Sequence, residues 1–236
     1  MKKKIIVRIV TSNIALPGMA EQGRINLQSG LKCDNLDFRY QDPDVVYFLT
    51  GGSESKAIDG LTKDKFYILL AGRGNNAFAS AMETKAWMNH HGFRSILLPL
   101  NEPGDFETLE KYLVGLHALK ELADKNIAVI GNISPWLIAS AIDAKVLKSR
   151  LGIVLKNIPW ARVPAIHKYR VMNSFSEAFS QQKSVEMDET GRIYQALLAT
   201  IKAENLAGLA VECFSLISEI GVSACLPLSK LNDEGI

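Results

Sequence analysis

Short apolar runs alternate with amphipathic segments along most of this chain, and this alternation limits the folds open to it. The runs are continuously apolar, which is typical of strands covered on both faces. Between them, apolar residues recur at helical spacing, as from Ile193 to Ile201. Together they predict an α/β fold with a mainly parallel sheet and right-handed crossovers. The predicted strands are Ile5–Thr11, Val45–Leu49, Tyr67–Ala71, Ser95–Leu100, Ile127–Gly131, Gly152–Ile158, Ala207–Val211 and Gly221–Leu226.

The spacing of these elements predicts two doubly wound, Rossmann- or flavodoxin-like domains. The glycines and asparagines after Ala71 are typical of a flexible joint near Gly72. We therefore expect a small α/β domain over residues 1–72 and a second over 73–236. The polar segment Pro17–Asp44 is predicted to be loop with one short element. Because the apolar run Gly221–Leu226 leads directly to Ile236, we expect the second domain to be cut short at its C-terminus.

Composition excludes several classes of protein. The 236 residues include 27 basic and 25 acidic side chains, and a net charge of +2 favours neither nucleic acid nor a membrane surface. No apolar run approaches the roughly 20 residues of a membrane helix. Only three apolar residues lie between Lys4 and Arg8, whereas a signal peptide needs roughly 7–15, so a cytoplasmic protein is expected. Cys33, Cys213 and Cys225 lack metal-ligand spacing and are expected to be reduced thiols.

A glycine pattern follows the predicted strand Tyr67–Ala71. Gly72, Gly74 and Ala77 match G-x-G-x-x-A, the fingerprint of dinucleotide-binding proteins, with Glu102 placed to contact a ribose. The alternative is a tight turn in which Asn75 or Asn76 caps the next helix.

A second glycine loop, Thr50-Gly51-Gly52, follows the strand Val45–Leu49, and Ser53 can cap the helix after it. Ligands of open α/β sheets bind beyond the carboxyl ends of the strands. A binding loop and a structural turn both fit this position.

Further candidate residues follow the later strands. Ser134 and Pro135 predict a helix start. Trp136, in its first turn, would either stack on a sugar ring or pack in the core. Glu212, at the carboxyl end of a strand, is a candidate ligand or catalytic base. The four histidines form no ligand set, and His90 and His91 are expected to end a helix, where the helix dipole favours cations.

Four stretches together resemble the L-fucose/L-arabinose isomerase-like superfamily. Thr50–Glu54 resembles its T-G-G-T-E turn, and Asn76–Glu83 its N-S-L-x-A-A-L-E helix opening. Gly131–Ser140 is similar to its G-x-P-S-D-W-L-I-A-S stretch, with Pro135 where the family often has Asp. Cys225–Ile236 is similar to the run that leads into its C-E-G-D motif. The similarity extends from about Val45 to the end of the chain.

The resemblance implies aldose–ketose isomerisation with Mn²⁺, in a homo-oligomer whose chains carry two α/β domains and a C-terminal β-rich domain. The metal would polarise the sugar carbonyl and a carboxylate would act as the base. The resemblance places Thr50, Gly51, Gly52, Asn76, Ser134 and Trp136 at the sugar.

The sequence departs from the family at the metal site. Ser215 stands where the family has its first carboxylate ligand, and a hydroxyl is a poor ligand for a hard dication. The other ligands would lie beyond Ile236, together with the β-rich domain. We therefore expect a chain that does not itself isomerise sugars, with Glu212 as an uncertain substitute ligand. The alternatives are a dinucleotide-binding module and a non-catalytic sugar-binding protein of the same fold.

Overall fold

The structure, a computed structural model, describes residues 3–32, 35–181 and 186–236. The chain forms two compact units, Met1–Glu121 and Leu122–Ile236. The expected boundary near Gly72 is wrong, because that residue lies inside the first unit. The strands on either side of Gly72 are hydrogen-bonded neighbours in one sheet, which a domain boundary there would divide.

The first unit alternates strands with helices, as predicted. Among its described residues, the strands and α-helices are β1 (Ile5–Val10), α1 (Met19–Gly30), β2 (Leu36–Phe38), β3 (Val45–Phe48), α2 (Glu54–Ile58), β4 (Phe66–Ala71), α3 (Ala77–His90), β5 (Arg94–Pro99) and α4 (Pro103–Leu122). All strand pairs are parallel, in the order β2-β1-β3-β4-β5. The four strands predicted here are confirmed to within one residue at each end.

Both faces of this sheet are covered by helices, which explains why its strands are continuously apolar. On one face, Val45 and Ile68 share a buried cluster with Leu27 of α1 and Leu113 of α4. On the opposite face, alternate strand residues such as Val46 and Leu69 pack with Ala57 of α2 and with Ala81 and Met88 of α3.

The second unit has the smaller sheet of the two. Its elements are β6 (Asn126–Ile130), α5 (Ala144–Leu151), β7 (Val154–Ile158), α6 (Asn173–Ala178), α7 (Met187–Glu204), β8 (Leu206–Val211), α8 (Phe214–Ile220) and α9 (Cys225–Asp233). The three strands are parallel in the order β7-β6-β8. The amphipathic helix α7 buries Ile193, Leu197 and Ile201 in the core, as its sequence pattern predicts.

The predicted strand Gly221–Leu226 is wrong. Gly221 ends α8 in the left-handed conformation, and helix α9 begins at Cys225. The run is apolar because Val222 and Ala224, in the connection between α8 and α9, are buried in the same core as α7. A short buried run looks the same in a sequence whether or not it forms a strand, so periodicity could not identify its structure.

The segment Pro17–Asp44 holds more structure than expected. It contains the whole of α1 and the short strand β2. Helix α1 buries only Gly23 and Leu27, so its apolar stripe is too narrow to stand out in the sequence. Cys213 and Cys225 are free thiols, and Cys33 lies outside the described residues. No helix in the described ranges is both long and apolar enough to cross a membrane.

Candidate functional site

The first unit contains a cleft of about 590 Å³ at the carboxyl ends of β1, β3 and β4. The chain crosses from one side of the sheet to the other at β1 and β3, and a gap at such a point is the usual ligand position in open α/β sheets. Four residues that the resemblance places at the sugar lie in its wall: Thr50, Gly51, Gly52 and Asn76. The cleft therefore brings together the predicted residues of this unit.

Hydrogen bonds within the loop after β3 fix its shape. The buried Thr50 hydroxyl accepts from the Ser12 amide at 2.6 Å, which ties the loop to the end of β1. The Ser53 hydroxyl, also buried, donates to the Thr50 carbonyl at 2.9 Å. The Gly51 amide donates to the Asn75 carbonyl at 2.7 Å. A Cβ at Gly51 would lie 2.9 Å from that of Asn76, so only glycine permits this approach.

Glu54 provides the charge in this wall. Its pKa is lowered by hydrogen bonds, first from its own backbone amide and then from the Ser80 hydroxyl and the Gly52 amide. The carboxylate is thus ionised at neutral pH.

The remainder of the wall combines uncharged polar groups with an apolar surface. Asn75 and Asn76 are exposed in the left-handed conformation at the start of α3, and neither side chain caps that helix. Ile14 and Leu16, in the loop after β1, are 94% and 73% exposed. No lysine or arginine is among the described residues that line the cleft. Hydroxyls, amides and one carboxylate beside apolar side chains suit a neutral polyhydroxylated ligand better than a phosphate.

The glycine turn after β4 has the alternative structure considered above, a tight turn. Its Arg73 amide donates to the Asn101 side chain at 2.7 Å, and the Ala77 amide donates to the Gly74 carbonyl. These amides are therefore engaged within the protein, whereas a dinucleotide site would direct them to the pyrophosphate. The Glu102 amide donates to the Asp105 carboxylate at the start of α4. The expected cap by an Asn75 or Asn76 side chain is not formed.

The predicted helix after Ser134 is wrong, because the described chain between β6 and α5 forms turns and bends. Leu137 and Ile138 are 42% and 92% exposed. A short helix is marginal without an apolar face to bury, whatever its capping residues. Trp136 is itself 59% exposed, so it is not a core residue, and its ring meets Phe214 edge to face at 5.4 Å between centroids.

Glu212 and Ser215 lie together at the carboxyl end of β8. The Ser215 hydroxyl donates to the Glu212 carboxylate at 2.6 Å, and the amides of Phe214 and Ser215 donate to it at 2.9 and 3.2 Å. The pKa of Glu212 is lowered, chiefly by the Ser215 hydroxyl. A carboxylate with a lowered pKa, saturated by donors at the start of α8, is a weak base and a structural cap.

These residues do not fit the Mn²⁺ that the family resemblance implies. The Glu212 oxygens face hydrogen-bond donors, and a cation there would have to displace the Ser215 hydroxyl proton and two amides. Within the described ranges, no three His, Cys, Asp or Glu residues are grouped as a metal site. We therefore derive no metal-dependent step for this chain.

His90 and His91 lie at the end of a helix. His90 ends α3 and His91 follows it, as predicted. A ring nitrogen of His91 lies 2.8 Å from the Trp87 carbonyl, and the two rings stack at 4.2 Å.

Sequence reasoning missed four polar residues of the cleft: Ser12, Glu54, Asn75 and Ser80. Ser12 directly follows the first predicted strand, so its position at the carboxyl edge of the sheet could have been predicted from the sequence. Ser80 gave no signal, because it reaches the cleft only through the packing of α3 on the sheet.

No known family model matches this chain, and neither does any protein in the curated set.

Proposed function

We propose that this chain is a sugar-binding scaffold similar to the α/β part of an aldose–ketose isomerase, and that it binds a neutral sugar in the cleft of its first unit. The main support is the composition of the cleft wall. Thr50, Gly51, Gly52 and Asn76 line it together with Glu54, and no lysine or arginine is among the described lining residues. Sugar hydroxyls can donate to the carboxylate and exchange hydrogen bonds with the amides, while the apolar face of a sugar suits Ile14 and Leu16.

The strand order supports the finer description of the fold. An order of 2-1-3-4-5 with helices on both faces is that of doubly wound flavodoxin-like sheets. In the second unit, β6, β7 and β8 repeat the first three positions of this order. We therefore take both units as doubly wound, the second with fewer strands among the described residues.

The chain is proposed to bind rather than to isomerise sugars. A base that abstracts a proton next to a carbonyl works best with a pKa near the working pH, and hydrogen bonds lower the pKa of both Glu54 and Glu212. Incubating the purified chain with aldoses and Mn²⁺ should give no ketose above the blank. Conversion that depends on Mn²⁺ would contradict this part of the proposal.

Binding is tested by calorimetric titration with free aldoses and ketoses, and the informative variant is Asn76→Gly. Glycine accepts the left-handed backbone of Asn76 and removes only the amide side chain. The loss of about one hydrogen bond should weaken sugar binding roughly tenfold. The matched control is Asn205→Gly, also left-handed but in the second unit, which should leave affinity unchanged.

Two results would contradict the proposal. One is that no free sugar binds at millimolar concentration. The other is that a sugar binds wild type and Asn76→Gly equally well, since the site would then lie elsewhere.

A further inference from the structure

The polar and apolar residues of the cleft come from different parts of the chain. Most of the polar lining residues lie in the segments that follow β3 and β4: Thr50, Glu54, Asn75, Asn76 and Ser80. Apart from Ala79, the apolar lining residues lie in the loop after β1 and at the start of α1: Ile14, Ala15, Leu16 and Met19. The lining is therefore divided into a polar part and an apolar part.

These two parts are opposite walls of the cleft. The loop after β1 leads into α1, which packs on the face of the sheet that holds Val45 and Ile68. The turn after β4 leads into α3, which packs on the face that holds Val46 and Leu69. A molecule that fills the cleft between the two helix starts contacts an apolar wall on one side and a polar wall on the other.

The loop that forms the apolar wall is shaped by its own hydrogen bonds. The Ala15 amide donates to the Ser12 carbonyl at 3.3 Å, and the Met19 amide donates to the Leu16 carbonyl at 3.2 Å. These two turns leave the side chains of Ile14 and Leu16 94% and 73% exposed at the cleft. An apolar group bound there would remove both from water without reordering the loop.

The cleft is larger than one sugar ring needs. Its volume of about 590 Å³ lies in the range of roughly 300–1,000 Å³ that is typical of sites for drug-sized molecules. A single sugar ring is much smaller than such a molecule. The C–H face of a ring held by Asn76 and Glu54 can contact the apolar wall, but much of the space beside Ile14 and Leu16 would remain filled with water.

We propose that the ligand is a glycoside, with its sugar ring at the polar wall and a neutral apolar aglycone against Ile14 and Leu16. This inference rests on the proposed function, and it extends the ligand from a free sugar to a substituted one. An isomerase needs a free carbonyl, whereas a protein that only binds its sugar can accept a substituted anomeric carbon. No lysine or arginine is among the described lining residues, so an uncharged substituent fits better than a phosphate.

The test is calorimetric titration of the full chain with methyl and phenyl glycosides of glucose, galactose, fucose and arabinose, in both anomeric forms. For the sugar that binds, the phenyl glycoside should bind about tenfold more tightly than the methyl glycoside, as expected when roughly 60 Å² of apolar surface is buried. Benzyl alcohol, which has the aromatic ring without the sugar, should not bind at the same concentrations.

The double variant Ile14→Ser, Leu16→Ser locates the aglycone. Both side chains are exposed, so the variant should fold, and it should bind methyl glycosides like wild type while losing most of the preference for phenyl glycosides. The matched control is Ile25→Ser, Val114→Ser. These residues are 45% and 70% exposed in α1 and α4 and do not line the cleft, so the preference should be retained.

The outcomes separate this inference from the proposed function. If neither a free sugar nor a glycoside binds, both fail. If methyl glycosides bind and phenyl glycosides bind no more tightly, or if the preference survives in Ile14→Ser, Leu16→Ser, the inference alone is overturned. Sedimentation equilibrium tests a second copy as the other occupant of the apolar wall. A wild type that associates and a double variant that is monomeric with unchanged glycoside affinities would also overturn the inference.

Discussion

Arg8 illustrates how single residues hold the first unit together. It is 1% exposed in the middle of β1. Its guanidinium donates to the carbonyls of Lys56, Ala57 and Asp59 at 3.1, 3.1 and 2.7 Å. These bonds tie β1 to α2 and to the residue that follows it. The loop that lines the cleft leads directly into α2, so the bonds from Arg8 to α2 also stabilise the site.

Replacing Arg8 by methionine should destabilise the protein by about 3 kcal/mol, because one buried and two part-buried carbonyls lose their donor. Urea denaturation of the full chain measures this change. The matched control is Arg39→Met, an exposed arginine, which should stay within about 0.5 kcal/mol of wild type. If both variants have the same stability, the bonds of Arg8 contribute nothing.

Gly131 is the second informative residue. It has φ +87°, and an added Cβ would lie 2.8 Å from Trp160 Nε1 and 2.9 Å from the Glu212 Cβ. Gly131→Ala should therefore cost roughly 2 kcal/mol, through backbone strain and a clash. Gly104→Ala in α4 meets nothing within 4 Å and should be neutral or stabilising by about 0.5 kcal/mol. Thermal melts that show no difference between the two variants would contradict this geometry.

At the scale of elements, the strands were predictable and several helices were not. β1, β3 and β4 are buried on both faces, and this leaves continuous apolar runs in the sequence. The run Gly221–Leu226, which leads from α8 into α9, is similarly apolar and therefore predicts a strand that does not form. The capping residues Ser134 and Pro135 indicated a helix that does not form, since local capping cannot replace a buried face.

Only part of the cleft could be predicted from the sequence, because some of its residues are brought there by the packing of a helix. Thr50 and Gly51 follow a clear strand, so their place at the carboxyl edge could be read from the sequence. Ser80 comes from the middle of α3, and only the packing of that helix places it there. Glu212 was located correctly at the end of β8, but its bond to Ser215 depends on a turn that the sequence does not reveal.

Helix α9 is held to α7 by a pair of ionisable groups. The Tyr194 hydroxyl donates to the two Glu234 oxygens at 2.8 and 2.7 Å, and Lys230 lies 3.0 Å from the same carboxylate. Burial is the largest cause, and the hydrogen bond to Glu234 the next, of a rise in the pKa of Tyr194 to about 12. The bonds from Tyr194 and then Lys230 lower the pKa of Glu234.

These shifts predict how the pair responds to pH. Glu234 stabilises the fold above the unfolded carboxyl pKa of about 4.3, and this contribution is lost as the pH falls through its folded value. Tyr194 stabilises the fold below about pH 10, and its contribution is lost as the pH rises towards 12. Tyr194→Phe should cost about 1 kcal/mol at pH 7 and flatten both limbs of the profile.

Urea denaturation between pH 3 and pH 11.5 tests this prediction. The control is Tyr169→Phe, a tyrosine that packs against the same core, which should keep the wild-type profile. An unchanged profile in Tyr194→Phe would show that the pair does not couple α9 to α7.

At the scale of the whole molecule, the division into two units matters most. The sheet of the first unit needs β5 and the helices α3 and α4, all of which lie beyond Gly72. The flexible composition of residues 71–76 therefore marks a turn within a sheet. Local sequence could not distinguish a turn within one sheet from a joint between two domains, because both need residues that interrupt helices and strands.

A comparison of two fragments tests this division. Residues 1–121 should fold with a cooperative thermal transition, since they retain both covered faces of the sheet. Residues 1–72 should not, because β4 would lose its outer neighbour and the apolar faces would be exposed to water. Circular dichroism during heating distinguishes the two. A cooperative transition in residues 1–72 alone would restore the boundary near Gly72.

The central claim is that the cleft of the first unit binds a neutral sugar. The most direct measurement is an amide-resolved NMR titration of the full chain with a free aldose or ketose, with the corresponding sugar phosphate and NAD in parallel. The account predicts saturable shifts for the free sugar, confined to Ser12, residues 50–54 and residues 75–80, and weaker effects from both phosphates. Shifts around Gly72 and Glu102 with NAD and none with any sugar would contradict it and favour the dinucleotide-binding alternative.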